Sequence, residues 1–534
     1  MDRIVSCHDN KDFPNFWRKT NALNVKTGLP VSVDGVSEPA SIANLFKNKF
    51  VIKSPLVLVD DRPEVQTSEH YHIRFTAKEV AETIRQMKRG KSPGHDSLSI
   101  EHLQHAGSHL PRVLSMFINF CIAHSYLPDA LMKTIVVPII KNNSGDASDA
   151  NNYRPISLAT VVAKVFDSML DKQLSKHLSI HDAQFGFRAG LSTEAAILCV
   201  KHTVKYYTDR KTPVYACFLD LSKAFDLVSY GVLWKKLYED TTMPDELIEL
   251  FKYWYTHQDN AVRWAGSLSD SYRLECGVRQ GGLTSPKLFS LYVNRLIGAL
   301  SGSMVGCSID GTFINNINYA DDMVLLAPSI SALRKLLHIC ENFAIAHGLK
   351  YNALKSELLV FPAGNKCYLN IPPVTLSGTR IKTVTKYKYL GHWLTATQTD
   401  DNDIERERRA LAVRSNMIIR RFAACSKGVK LILFRAYCQS FYTCSLWCQF
   451  SQRAYSALRV QYNNAFRALL GLPRYCSASG MFAEARVDGF AAIRRKRIAS
   501  LMARVRGSRN TILEVVGSRM DSPVYKHWVN VHVH

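Results

Sequence analysis

The sequence predicts an α+β protein in which a sheet backed by helices is followed by a mostly helical C-terminal region. Three observations carry this prediction. The apolar run at 214–219 is typical of a fully buried strand, since it lacks the polar alternation of a half-exposed one. Two short apolar segments, at 317–319 and 323–326, flank an acidic pair and predict a hairpin. From residue 400 onward, helical periodicity with basic faces replaces the strand patterns.

The acidic pair at the tip of the predicted hairpin is Asp321 and Asp322. Two adjacent anions without a basic neighbour repel each other, and a divalent cation would neutralise them. Asp220 stands at the end of the buried strand, so three carboxylates converge if that strand pairs beside the hairpin. Such a set can hold two Mg²⁺ ions roughly 3.5–4 Å apart, which activates a 3′-hydroxyl for phosphoryl transfer. By itself, an acidic pair in a turn is more often a solvated loop than a metal site.

Length and charge narrow the class of partner. A chain of 534 residues is too long for one compact core, so two to four lobes are expected. Lys and Arg number 68 against 45 acidic residues, which gives a net charge of +23 and suggests nucleic acid or a membrane surface. The sequence contains no apolar run approaching the 18 or so residues of a membrane span, and it opens with no signal peptide. Nucleic acid is therefore the expected partner, with no membrane, and a merely basic soluble protein is the alternative.

The cysteines predict a reducing compartment. Their number, 13, is odd, and they are scattered, as expected of buried thiols rather than a disulfide framework. One local cluster contains Cys438, Cys444 and Cys448, but it lacks a Cys-x-x-Cys pair and is interleaved with aromatic residues. We therefore predict structural cysteines there rather than a zinc site.

The first half of the chain alternates helices, strands and basic loops. A helix is predicted at 76–87, with Thr76 and Glu79 as a capping box, and it leads into a loop in which Lys91 and two glycines could approach a phosphate. A strand at 135–141 and its return at 153–158 follow, and then a helix at 161–178. The alternative for the loop is a solvated basic turn.

Together these residues resemble the reverse transcriptases of non-LTR (LINE-type) retrotransposons. The boxes at 218–226 and 319–322 are similar to that family's two catalytic motifs, and the other motifs follow in the expected order between about residues 70 and 395. The resemblance implies a right-hand polymerase fold with fingers, palm and thumb. It divides the chain into an N-terminal connector (1–70), fingers and palm (71–395), and a helical thumb with the C-terminal region (396–534). The endonuclease that precedes the connector in this family is not expected here, so a separate endonuclease activity is left open.

The resemblance also implies roles for single residues. Asp220 and Asp321 would bridge two Mg²⁺ ions, with Mn²⁺ as a possible substitute, Asp322 would support them, and Lys355 would protonate the departing pyrophosphate. The residues assigned to the incoming nucleotide are Lys141, Arg154, Leu221, Phe225, Gln280 and Gly281. The residues assigned to nucleic acid are Lys91, Arg188, Tyr389 and Gly391.

Two of these assignments have a physical rationale that the sequence supports directly. The planar fork of Arg154 can grip two phosphate oxygens, whereas Lys141 acts as a point charge. Phe225 lies five residues after Asp220 and matches the family's steric gate, a ring that leaves no room for a ribose 2′-hydroxyl. An ordinary core ring is the alternative for Phe225.

The sequence thus predicts an RNA-directed DNA polymerase that adds deoxynucleotides to a primer 3′-hydroxyl on an RNA template. Its partners would be the RNA template, a DNA primer and dNTPs, and its location intracellular, in the nucleus or in a cytoplasmic ribonucleoprotein. Two alternatives stay open. One is an RNA-dependent RNA polymerase, and the other is a catalytically inactive nucleic-acid-binding remnant of a retroelement.

Overall fold

A computed structural model describes residues 28–54, 73–142, 145–364, 371–519 and 523–533, together with residues 6, 7, 10, 12 and 15. The fold is α+β, with helices packed on a central sheet and a mostly helical region after it, which confirms the predicted class. The strands are β1 (Lys133–Ile140), β2 (Tyr153–Leu158), β3 (Val214–Leu219), β4 (Asp259–Trp264), β5 (Ser267–Leu268), β6 (Ser308–Ile309), β7 (Thr312–Phe313), β8 (Asn316–Tyr319), β9 (Asp322–Ala327), β10 (Glu357–Phe361), β11 (Thr375–Leu376), β12 (Thr379–Arg380), β13 (Lys382–Val384), β14 (Lys386–Tyr389) and β15 (His392–Thr395).

The helices share a simple order along the chain: eleven accompany the strands and seven follow them in the described ranges. They are α1 (Pro39–Phe50), α2 (Ala77–Gln86), α3 (Ile100–His105), α4 (Leu110–Ala123), α5 (Asp129–Met132), α6 (Val161–His177), α7 (Thr193–Asp209), α8 (Tyr230–Asp240), α9 (Asp245–His257), α10 (Ser285–Gly302), α11 (Ile330–Ala346), α12 (Asp401–Arg421), α13 (Lys427–Cys438), α14 (Gln452–Leu470), α15 (Ala478–Glu484), α16 (Phe490–Arg506), α17 (Thr511–Ser518) and α18 (Pro523–Val533).

The central sheet, which we call the palm sheet, has the strand order β13-β10-β3-β9-β8. Its middle strand β3 pairs antiparallel with β10 on one side and with β9 on the other. Every residue of β3 is buried, because α7 and α11 pack against this strand and both of its edges are paired. This full burial explains why the sequence of β3 is a continuous apolar run without alternation.

A second sheet, the fingers sheet, has the order β2-β1-β4-β5. Helix α1 packs on β4 and β5, and a small apolar core joins Phe46 of α1 to Val136, Tyr153 and Trp264 of the sheet. The rings of Phe46 and Tyr153 meet at a centroid distance of 5.0 Å. Residues of the predicted connector therefore form part of the fingers layer, while the boundary at residue 70 stays a prediction.

Local signals in the sequence place several elements closely. The capping box predicted at the start of α2 is present: Glu79 N donates to Thr76 Oγ1 at 3.2 Å, and Thr76 N donates to Glu79 Oε2 at 2.8 Å. Helix α6 ends one residue before the predicted position, and β1 begins two residues before it. Within the described ranges, none of the helices combines the length and apolar character that a membrane span requires.

A buried ionic cluster joins the C-terminal helices to the palm. The carboxylate of Asp403 on α12 is fully buried and accepts hydrogen bonds from two atoms of Arg406, from Trp393 N and from Trp447 Nε1. His392 Nδ1 lies 3.1 Å from Asp403 Oδ2. Because these donors come from β15, α12 and the segment after α13, one carboxylate fixes three elements together.

We expect Asp403→Ala to lower the free energy of unfolding by roughly 3–5 kcal/mol, because it leaves the buried Trp447 Nε1 without its acceptor and removes one of the two carboxylates that bind Arg406. Chemical denaturation of the full chain measures this. Glu405→Ala is the matched control on the same helix, since Glu405 pairs with Arg408 and Arg409 at the surface, where such pairs contribute about 0–1 kcal/mol. Equal losses for the two variants would contradict the assignment.

Candidate active site

The hairpin β8–β9 places the acidic pair at the end of the palm sheet. Tyr319 pairs with Asp322, so the turn between them contains only Ala320 and Asp321. Ala320 has a φ of +60°, in the left-handed region that two-residue hairpin turns require. The neighbouring strand β3 ends at Leu219, which pairs with Met323, so the chain delivers Asp220 directly beside the hairpin.

The charges of the three carboxylates act on one another. Although the Asp322 side chain is exposed on one side, loss of hydration raises the pKa of its carboxyl to about 6, and repulsion from Asp321 and Asp220 adds to the rise. Partial burial raises the pKa of Asp321 as well, with a further contribution from Asp220. The sheet end therefore holds anions where ionisation is unfavourable, which is the condition that a bound cation relieves.

The donor set suits a hard divalent cation, because Asp220, Asp321 and Asp322 supply only carboxylate oxygens. In the part of the chain that the structure describes, no three His, Cys, Asp or Glu side chains are already close enough to enclose a metal ion. The structure thus brings the three carboxylates into one neighbourhood without presenting a finished coordination shell.

The segment after α11 forms two hydrogen bonds with the backbone of Asp220. Asp220 N donates to Ser356 Oγ at 3.2 Å, and Asn352 N donates to Asp220 O at 2.8 Å. Leu221 is buried and forms an antiparallel bridge with Tyr351, and its contact with a nucleotide stays a prediction. This pairing places Lys355, which is exposed, in the loop next to the carboxylates.

Phe225 lies between two other aromatic rings. It stacks on Phe289 of α10 at a centroid distance of 4.6 Å and meets Phe187 edge-on at 6.5 Å. Its side chain is half-buried, so one part packs in the core and another faces the cleft. Both interpretations from the sequence, a gate beneath the sugar and a core ring, fit this position.

The glycine-rich loop (275–282) packs on the fingers sheet. Ser157 N donates to Gln280 O at 2.8 Å, and Gln280 Nε2 donates to Asp226 Oδ1 at 2.8 Å. Gly281 has a φ of +115°, and a Cβ atom there would approach Ser157 O to 3.0 Å. Glycine is required at this position for both reasons. Asp226, to which the sequence analysis gave no role, thus orients the amide of Gln280, and its place in the box at 218–226 was the available signal.

Arg279 of the same loop, to which the sequence analysis gave no role, is buried. It is 5% exposed, lies over the ring of Trp254 at 4.1 Å and faces Asp167 at 3.6 Å. Asp167 also accepts from Leu283 N at 2.7 Å. The pair anchors the loop from inside, and no local sequence signal distinguishes a buried arginine from an exposed one.

The fingers hairpin carries the two predicted triphosphate ligands. Arg154 pairs with Ile139 across β1–β2, and both Arg154 and Lys141 are exposed. Burial first, and then the charges of Lys355, Lys49 and Arg154, lower the pKa of Lys141. The hairpin and the loop that carries Lys355 are therefore close enough for their charges to interact.

The predicted nucleic-acid residues have mixed positions. Lys91 is exposed in the loop between α2 and α3. Arg188 has an acidic partner: its guanidinium donates to Asp182 Oδ1 at 3.1 Å and to His181 O at 3.1 Å, and its contact with nucleic acid stays a prediction. Asp182 in turn accepts from Thr511 N at 2.9 Å, at the start of α17. The acid partner neutralises Arg188 because the loop folds against the C-terminal helices.

The hairpin β14–β15 carries Tyr389 and Gly391, whose role at the primer end stays a prediction. Tyr389 is 2% exposed and packs on Phe218 at 5.3 Å, so its ring belongs to the core. The turn itself is half-buried, and Tyr442 Oη donates to Leu390 O at 2.7 Å. A side chain at Gly391 would bring its Cβ atom to 3.0 Å from the ring of Tyr442. The hairpin therefore offers the backbone of the turn, not the Tyr389 side chain.

The basic helices after residue 400 are partly paired internally. Arg406 and Arg414 bind the buried Glu407, and Arg494 is buried against Phe450 at 4.9 Å. These arginines stabilise the C-terminal region and are not available to phosphates.

Burial raises the pKa of Cys438, Cys444 and Cys448 to about 12, so these thiols stay protonated at neutral pH.

The comparisons with known proteins bear on the same segment. A family model described as reverse transcriptase (RNA-dependent DNA polymerase) matches residues 139–394. An RNA-directed DNA polymerase from the mobile element jockey of Drosophila funebris is 25% identical over 323 residues, covering 59% of this chain and 34% of that protein. A retrovirus-related Pol polyprotein from the retrotransposable element R2 of Popillia japonica is 26% identical over 314 residues, covering 57% of this chain and 42% of that protein.

The chain therefore spans 34% and 42% of the length of these two curated relatives. Among solved structures, apo telomerase from Candida tropicalis has a TM-score of 0.36 and 11% sequence identity, covering 54% of this chain and 59% of that one. A likeness of this size adds nothing to the argument.

We expect Asp322→Asn to raise the thermal midpoint of the metal-free protein at pH 7.5. The folded-state pKa of Asp322, about 6, lies above the ordinary value of about 3.9, so the native state is penalised as pH rises through this interval. The gain should vanish below about pH 4, where the carboxyl is protonated in both states. Thermal melts in EDTA between these pH values measure it.

Asp245→Asn, at an exposed acid at the start of α9, is the control and should not raise the thermal midpoint at pH 7.5, since an acid in the first turn of a helix is favourable. A variant at Asp322 that is less stable than the parent at every pH would contradict the electrostatic reading.

Proposed function

We propose that this chain, whose residues 139–394 match the reverse transcriptase family model, is an RNA-directed DNA polymerase of the non-LTR retrotransposon type that extends a primer 3′-hydroxyl with deoxynucleotides. One observation carries the proposal beyond the family match. Strand β3 and hairpin β8–β9 bring Asp220 beside Asp321 and Asp322, although about a hundred residues separate them in the sequence. Interacting carboxylates at a sheet end are what a metal-dependent nucleotidyl transfer needs.

Reverse transcriptases use divalent metal ions, and the proposal here is a pair of Mg²⁺ ions, for which Mn²⁺ could substitute. Asp220 and Asp321 would hold the pair, with Asp322 in support. When bound, such ions lower the pKa of the primer hydroxyl and neutralise charge on the phosphates. Their binding would also relieve the repulsion that raises the pKa of Asp321 and Asp322.

The other side chains of the cleft suit the substrate. Lys141 and Arg154 on the fingers hairpin would hold the triphosphate, and Lys355, exposed beside the carboxylates, would give a proton to the departing pyrophosphate. Gln280, oriented by Asp226, would contact the sugar and phosphate. The turn at Gly391 would support the primer end through its backbone.

The nucleic-acid partners follow from the charge. With a net charge of +23 and exposed Lys91 on the fingers side, the chain would hold an RNA template and a DNA primer through their phosphates. We also propose an intracellular site of action, in the nucleus or a cytoplasmic ribonucleoprotein, and a separate endonuclease activity as the source of the primer.

Replacing the central acid tests the proposal. Asp321→Asn should lower the rate of DNA synthesis on an RNA template by at least ~10²–10³-fold, the scale of losing one electrostatic stabiliser of the transition state. Primer extension with purified protein, dNTPs and Mg²⁺ measures this, and Asp245→Asn serves again as the control. Normal extension by the Asp321 variant would refute the metal assignment, and a parent protein that binds RNA yet never extends a primer would favour a non-catalytic remnant.

Phe225→Ala should admit ribonucleotides, since removing the ring opens space beneath the sugar. The measured quantity is the ratio of kcat/KM for dNTP to that for rNTP, which should fall by at least ~10-fold, or about 1.4 kcal/mol of discrimination. If Phe225 is only a core ring on Phe289, the variant will lose stability while this ratio stays unchanged. A parent protein that already prefers ribonucleotides would favour an RNA-dependent RNA polymerase.

A further inference from the structure

We propose that Lys49, on the N-terminal helix α1, is a further phosphate-binding residue of the nucleotide site. The inference rests on the proposed polymerase function and extends its substrate site beyond the segment that matches the reverse transcriptase family, which begins at residue 139. The sequence placed Lys49 in a connector without any role in the chemistry.

The ammonium groups of Lys49 and Lys141 are held by the same residue. Lys49 Nζ donates to Asn151 Oδ1 at 2.8 Å, and Lys141 Nζ donates to Asn151 O at 3.2 Å. Asn151 sits at the base of β2, just before Arg154. One amino acid thus ties a cation from the N-terminal helix to the cation that the fingers hairpin offers to a triphosphate.

The hydrogen-bond acceptors of these two lysines are neutral amide oxygens, so their charges are not cancelled there. The nearby acids have other hydrogen-bond donors. Asp34 accepts from Ala150 N at 3.0 Å, and Asp149 accepts from Asn151 N at 2.7 Å. The third acid, Asp226, accepts from Gln280 as described above, and it also acts on Lys141 through its charge.

Positive charges from three parts of the chain act on one another at this place. Partial burial lowers the pKa of Lys49, and the charge of Lys223, from the loop after β3, lowers it further, whereas Asp34 and Asp149 oppose the change. The charges of Lys355 and Lys49 likewise lower the pKa of Lys141. Cations that repel one another across fingers and palm are stabilised by a shared anion, and a nucleoside triphosphate carries several charges on one compact group.

The N-terminal segment also forms a wall of the adjoining cleft. A small cavity of about 40 Å³ is lined by Phe50 and Ile52 together with Asp226 and Gln280. Cys276 Sγ donates to Ile52 O at 3.6 Å, so the chain after α1 contacts the glycine-rich loop directly. The segment that follows Lys49 thus contacts the loop that carries Gln280, while Lys49 itself reaches the fingers hairpin through Asn151.

The test compares Lys49→Gln with Lys49→Arg and Lys47→Gln in the full chain. Lys47 lies on the same helix but pairs with Asp270 at 3.2 Å, so its removal controls for charge and for helix stability. Lys49→Gln should raise the KM for dNTP and the Kd for inorganic tripolyphosphate by about three- to tenfold with little change in kcat, as expected for one lost charge-assisted contact. Lys49→Arg should restore both constants, and Lys47→Gln should leave both unchanged.

The two readouts separate this inference from the proposed function. Tripolyphosphate binding that depends on Lys49 in a protein that never extends a primer would support the site while the polymerase proposal fails. Active extension with constants that Lys49→Gln does not alter would overturn the inference and leave the polymerase proposal intact. Equal effects of Lys47→Gln and Lys49→Gln, or an effect of Lys49→Gln on the length of template overhang required instead of on dNTP, would overturn it too.

Discussion

Repulsion between like charges is the constraint on which this structure depends. At one end of the palm sheet the fold gathers carboxylates, and across the cleft it gathers ammonium and guanidinium groups, in both cases against their mutual electrostatic cost. A folded chain tolerates such arrangements because a rigid scaffold holds them and a ligand of opposite charge compensates them. Here the scaffold is β3, which is buried along its whole length and paired on both edges.

The glycine-rich loop contacts both the fingers sheet and the segment after β3, and so it links the basic and the acidic side of the cleft. Its backbone accepts a hydrogen bond from Ser157 N of the fingers sheet. The side-chain amide of Gln280 donates a hydrogen bond to Asp226 of the palm. Beneath the loop, Arg279 and Asp167 form a pair inside the core. These hydrogen bonds and the ion pair connect the loop to the fingers and to the palm. A change in the width of the cleft would therefore break at least one of them.

The sequence predicted those features that arise from local pattern. The burial of β3, the capping box of α2 and the α+β class follow from periodicity and from residue types that favour one conformation. The positions of Arg188 and Tyr389 depend on residues far along the chain, Thr511 through Asp182 and Phe218, so no local pattern could reveal them. Lys49 and Asp403 were missed for the same reason, and the catalytic roles of the acidic residues stay predictions.

The contact between Asp182 and the start of α17 has a consequence for the architecture as a whole. Arg504 of α16 also binds Glu194 at the beginning of α7 at 2.8 Å, so the last third of the chain returns to a loop that lies beside the palm. A chain shortened before α16 would uncover apolar surface on α7 and remove the Thr511 donors that hold the carboxylate of Asp182. The surroundings of strand β3 can therefore close only after helices α16 and α17 have been synthesised and have docked on this side of the molecule.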